Sequence, residues 1–158
     1  MNRKILLVTE RPPLVAGFYH LLDGAGLGNE FAIVSATELS LALTALDACL
    51  VVIDAGPSLD WEELTELRRS HAGSLFVLWC SRVTPGLALA AVDAGVNGLL
   101  STKLPMEEAS QALVQICQGE RTFRFEPDVA SRHAASSRPY GRAPFDASWM
   151  FSATTPEL

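Results

Sequence analysis

The sequence is short of positive charge: its 158 residues carry 12 Lys and Arg against 18 Asp and Glu, a formal net charge of −6. No Lys/Arg-rich stripe offsets this locally, so nothing gathers nucleic-acid phosphates, and direct nucleic-acid binding by this chain is not expected. Long apolar runs are also missing. Runs such as 5–8 and 50–53 are strand-sized, and the N-terminus lacks the extended apolar region of a signal peptide. Neither a membrane span nor export is expected, and the expected location is the cytoplasm. Cysteine is sparse: Cys49, Cys80 and Cys117 are odd in number and widely spaced, with no Cys-x-x-Cys pair and no His cluster. That argues against a zinc site and for reduced core thiols. The three histidines, His20, His71 and His133, lie far apart in the chain, and none is placed like a catalytic base.

What remains is a chain that folds. Hydrophobic residues make up 49% and charged residues 19%, and the length suits one domain with a tail. Short apolar runs alternate with stretches of helical period, the pattern of βα units around a parallel sheet. Five units are expected, with strands at 4–8, 31–34, 50–53, 75–79 and 98–101. A helix after Pro12 and Pro13 should stop near Gly24, Gly26 and Gly28, and Ser35 or Thr37 should cap the second. After a turn at Gly56 and Pro57, Asp60 should cap a helix with Trp61, Leu64 and Leu67 inward, acids early and bases late. A fourth helix is expected over 85–94 and a fifth over 105–119. The predicted class is α/β, a doubly wound five-stranded parallel sheet over 1–125. From Pro127 the composition turns to Ala, Ser, Arg and Pro, so 126–158 reads as linker or tail, partly helical or disordered. Phe145, Trp149, Met150 and Phe151 stand out there as residues that pack on the body or on a partner.

In a doubly wound sheet, ligands bind beyond the carboxyl ends of the strands, where strand order reverses. Thr9 and Glu10 follow the first strand, Asp54 ends the third, Cys80 and Ser81 end the fourth, and Thr102 and Lys103 end the fifth. That polar set is the candidate site.

Three stretches, KILLVTERPPLVAGFYHLL, VVIDAGPSLDWEELTELRRS and AVDAGVNGLLSTKLPMEEASQALVQICQGERTF, give the chain over 2–125 its resemblance to the receiver domain of bacterial two-component response regulators. The last stretch resembles receivers joined to helix-turn-helix output domains. The resemblance implies a flavodoxin-like strand order 2-1-3-4-5 and a regulatory domain rather than an enzyme. It implies a phosphorelay, in which a sensor histidine kinase or small phosphodonor phosphorylates Asp54. Mg²⁺ would be held by Asp54, Glu10 and the Gly56 carbonyl, with Thr9 orienting a metal-bound water. Cys80 or Ser81, with Thr102 and Lys103, would hold the phosphoryl group. Phosphorylation would bias a face read by a downstream protein or output domain, in a transcription regulator or a homodimer.

Several positions depart from the family pattern. Thr9 replaces the first of two acids, Glu10 the second, Cys80 a hydroxyl residue and Thr102 a lysine. Losing one carboxylate beside Mg²⁺ gives up at most about 4 kcal/mol, taking roughly 4 Å and an effective dielectric of about 20. Metal binding should therefore be weak. Two further readings follow: a degenerate receiver that serves as a phosphorylation-independent interaction or dimerisation module, and a flavodoxin-like cofactor binder. The second is disfavoured by a proline-blocked turn after the first strand, which offers few free amides.

Overall fold

A computed structural model of the chain describes residues 4–125, except positions 29, 47–48 and 57–58. Pro57, His133 and the aromatic residues of the 126–158 segment lie outside the described residues. The elements run β1 (Lys4–Val8), α1 (Pro12–Ala25), β2 (Ala32–Val34), α2 (Ala36–Ala45), β3 (Cys49–Asp54), α3 (Trp61–Ser70), β4 (Leu75–Cys80), α4 (Pro85–Ala94), β5 (Gly98–Ser101), α5 (Met106–Cys117) and β6 (Thr122–Arg124). All strand pairs are parallel, in the order β2-β1-β3-β4-β5-β6.

The doubly wound class and the 2-1-3-4-5 order are as the sequence implies, but the sheet has six strands rather than five. Strand β6 is three residues long and ends in arginine, so it presents no apolar run for a pattern to catch. Tertiary contacts hold it: Thr122 N–H donates to the Asn97 carbonyl at 3.0 Å, and the Arg121 guanidinium donates to the Val96 carbonyl at 3.0 and 3.3 Å.

Local signals fix most helix ends. Ser35 and Glu38 form a reciprocal capping box, Ser35 Oγ accepting from Glu38 N–H and Glu38 Oε1 from Ser35 N–H. Asp60 Oδ1 accepts from the N–H groups of Glu62 and Glu63, both at 3.1 Å, and Thr84 caps α4 through Leu87 N–H. Helix α4 ends at Gly95, whose φ of 79° is open to glycine and strained for a residue with a Cβ. There the Arg68 guanidinium donates to the Ala94 carbonyl, satisfying an otherwise orphaned acceptor.

The sheet is buried on both faces, which is why its central strands read as unbroken apolar runs. One core gathers Leu6, Val8, Val51, Ile53, Leu78, Cys80 and Leu99 under α2, α3 and α4. The other gathers Ile5, Leu7, Leu50, Val52, Val77, Trp79 and Leu100 under α1 and α5. Consecutive residues of each strand alternate between the two, as the pleat requires. Extending that alternation puts Thr9, Asp54 and Thr102 on the α1/α5 side, and Cys80, Ser101 and Lys103 on the other. Among the described residues no helix is long and apolar enough to cross a membrane.

Candidate functional site at the carboxyl ends of the strands

The register of β1 against β3 runs from Lys4↔Cys49 to Val8↔Ile53, so the next residue of each strand, Thr9 and Asp54, stand side by side. Asp54 closes β3 with its side chain 10% exposed. Thr9, itself buried, donates its hydroxyl to Asp54 Oδ2 at 2.8 Å. Two residues on, Arg11 lays its guanidinium across the same carboxylate: Nε donates to Oδ2 at 2.9 Å and Nη2 to Oδ1 at 2.5 Å. This is the two-pronged fit that a planar guanidinium makes with a carboxylate. The carboxylate returns the effect, raising the Arg11 pKa above its ordinary value, chiefly through these hydrogen bonds and then through charge attraction.

The backbone explains why Arg11 is the residue that reaches Asp54. Arg11 is the N-cap of α1, in extended conformation, with its own N–H donated to Thr9 Oγ1 at 3.0 Å. Thr9 thus links both ends of the arrangement, accepting from the Arg11 backbone while donating to the carboxylate that the Arg11 side chain grips. The first two helical positions are Pro12 and Pro13, which have no N–H to offer an anion. The donors that a helix start ordinarily provides are replaced by a side chain.

The other expected residues divide differently. Glu10 is exposed and makes no hydrogen bond or ion pair with a described residue, so it does not join Asp54. The Gly56 carbonyl accepts from Leu59 N–H at 3.1 Å, closing the turn before α3. Cys80 is buried in the α2/α3/α4 core; burial first, and the Asp54 charge second, push its thiol up to about 12. Its carbonyl accepts from Thr102 N–H at 2.8 Å, tying β4 to β5. Ser81 is exposed with no hydrogen bond to a described residue. Lys103 is exposed as well, its backbone N–H held by Ser101 Oγ at 3.0 Å and its ammonium making no ion pair with a described residue. Of the expected phosphate partners, then, none bonds to Asp54.

These residues do not fit Mg²⁺. The ion prefers carboxylate oxygens with room for several waters. Both Asp54 oxygens are instead engaged by donors, one of them already a cation, and the expected carbonyl ligand is committed to a turn. Among the described residues no other Asp, Glu, His or Cys side chain joins Asp54 in a cluster of three. Sequence reasoning missed Arg11. The signal lay in its position, one residue past the pair after β1 and directly before two prolines, close enough to share that strand end.

No protein-family model matches the chain, and no curated protein matches it. Solved structures do. The isolated receiver domain of RcsB from Salmonella enterica serovar Typhimurium, solved in the presence of a beryllofluoride phosphomimetic, superposes with a TM-score of 0.67 at 17% identity, covering 84% of this chain and 98% of that one. A LuxR-family DNA-binding response regulator from Silicibacter pomeroyi gives 0.63 at 21% identity, covering 77% and 96%. A pilus assembly protein, CpaE, from Burkholderia thailandensis gives 0.59 at 22% identity, covering 73% and 98%. The chain therefore has the fold of the response-regulator receiver domains.

Proposed function

We propose that the chain is a signal-transduction receiver module that acts as a protein-interaction unit, with Asp54 held by its own neighbours rather than kept free for phosphoryl transfer. The observation that carries this is the engagement of both Asp54 oxygens by Arg11 and Thr9, with the guanidinium charge lying across the carboxylate. A phosphoaccepting carboxylate must present a free oxygen to phosphorus, with a cation bridging it to the incoming group. Here the cation already lies on the carboxylate as a fork, and Cys80 offers only a weak thiol donor facing the opposite core. The phosphorelay from a sensor histidine kinase, implied by the family resemblance, requires Arg11 to swing away first.

The face available to a downstream protein, an output domain or a second copy includes α4 and the start of α5, where Leu89, Val92 and Met106 are exposed. A cofactor binder at the same edge finds no support: Pro12 and Pro13 carry no N–H, and that of Arg11 is committed to Thr9.

Backbone amide NMR in Mg²⁺ and beryllofluoride tests the proposal. The amides of Thr9, Asp54, Ala55 and Thr102 should keep their positions, and Asp54→Asn should leave the oligomeric state unchanged. Shifts that start at Asp54 and spread into α4 would refute it.

A further inference from the structure

We propose that Arg11 is a resident substitute for the divalent cation of this site, so that the chain carries its own counter-charge and excludes a metal from Asp54. The inference rests on the receiver reading above and deepens it, because it assigns the insensitivity of the site to one side chain whose removal should reverse it.

Three observations point the same way. The first is chemical: the guanidinium meets Asp54 at both oxygens, through Nε to Oδ2 and Nη2 to Oδ1, where a cation bound to that carboxylate would also have to sit. Arg11 and Thr9 together take both acceptor sites of Oδ2 and Arg11 takes one of Oδ1, so a metal would have to approach the remaining site beside the guanidinium, against its charge. The second is positional: Arg11 is preset for the task. Its N–H is held by Thr9 Oγ1, and the two prolines that follow fix the chain direction immediately after it. Little conformational freedom is lost when its head group engages, so the pairing is favoured over that of a freely moving surface arginine. The third is the uncharged donor at Thr9. An aspartate there would bring a second negative charge to within hydrogen-bond distance of Asp54 and would attract a divalent ion. The hydroxyl brings no charge, so the single positive charge of Arg11 suffices to balance Asp54.

Together Thr9 and Arg11 balance Asp54: an uncharged hydroxyl and an internal cation offset its charge without a metal. Arg11 is thus a positioning residue for Asp54, and the arrangement is a built-in lock on the strand end from which the β3 turn and α3 depart.

The test is a titration of the full chain with Mg²⁺, and in parallel with Mn²⁺ as a paramagnetic probe, followed by amide NMR. Four proteins are compared: wild type, Arg11→Gln, Thr9→Asp, and Thr9→Asp/Arg11→Gln. Glutamine keeps much of the length and polarity of arginine without the charge, and a dispersed amide spectrum confirms folding for each protein. Wild type and Thr9→Asp should show no saturable shifts or Mn²⁺ broadening at Thr9, Asp54 and Ala55. The double variant should show both, with an apparent affinity for Mg²⁺ at least tenfold above the upper limit set by the titration of Thr9→Asp. Arg11→Gln alone should show weaker binding than the double variant. Saturable binding at Asp54 in the wild type would overturn both the substitution and the reading of Asp54 as a carboxylate held by its own neighbours, on which it rests. A folded double variant that binds neither ion would overturn the substitution alone, because Asp54 would then be closed to metal for a reason other than Arg11.

Discussion

Replacing Arg11 by alanine removes two charge-assisted hydrogen bonds from a carboxylate that is 10% exposed, while the arginine itself is 54% exposed. Coulomb attraction between unit charges about 4 Å apart is worth about 4 kcal/mol at an effective dielectric of 20 and about 1 kcal/mol in bulk water. The solvent exposure of Arg11 pulls the figure toward the lower bound, as measured exposed pairs of about 0.2–1 kcal/mol show. The bidentate geometry and the near-burial of Asp54 pull it up again. The balance is a coupling of about 1–2 kcal/mol between Arg11 and Asp54, read from a denaturation cycle of wild type, Arg11→Ala, Asp54→Asn and the double variant. For a domain of this size the single Arg11→Ala change should lower Tm by about 3–10 °C, and part of the difference should fade in molar salt. Thr9→Ala, which removes the shared hydroxyl, should reduce the same coupling. A cycle that closes to within about 0.3 kcal/mol, the usual additivity of independent sites, would show that the fork contributes nothing and would refute the reasoning.

Cys80, with its thiol pushed up to about 12 by burial and by the Asp54 charge, should resist iodoacetamide in the native protein at mild alkaline pH, while the half-buried Cys117 reacts first. Rapid native alkylation of Cys80, located by peptide mass, would contradict its burial. Because the folded thiol titrates above its unfolded value of 9.0, Cys80 contributes stability that is fully present below pH 9 and is lost as pH rises toward 12; Cys80→Ala should flatten that decline in pH-dependent denaturation. Gly95→Ala should cost at least about 1 kcal/mol, since φ is 79° and the new Cβ would meet Arg68 Nε at 2.5 Å; a neutral result in urea titration would argue against this turn. Ser35→Ala should cost about 1 kcal/mol by opening the capping box, with faster amide exchange in the first turn of α2 as the local readout.

Elements governed by local chemistry were legible in the sequence. The runs at Lys4–Val8 and Gly98–Ser101 give their strands by burial on two faces, and Asp60 announces α3 by the ordinary capping rule. The candidate site was legible only in part. That Asp54 and Thr9 meet follows from an acid at the end of one strand and a polar residue at the end of its parallel neighbour. That Arg11 closes the pair depends on contacts across 43 positions of chain and on a side-chain direction set by Thr9 and the prolines, neither of which has a periodic signature. Attention to acids also drew in Glu10, which lies exposed in the bend after β1 and makes no hydrogen bond to Asp54. The same alternation separates Cys80 from Asp54: it follows Phe76 and Leu78 into the opposite core, and that parity was available from the sequence. Strand β6 was out of reach because its pairing with β5, not its composition, makes it a strand.

Whether the Asp54 carboxylate is closed or free is decided most directly by intact-mass spectrometry of the wild-type chain after incubation with acetyl phosphate and Mg²⁺, with Asp54→Asn as the control. With Arg11 and Thr9 on its two oxygens, the wild-type protein should keep its mass and, like the control, gain no adduct. A phosphoryl adduct that forms on the wild type, maps to Asp54 and is missing from Asp54→Asn would contradict the closed site.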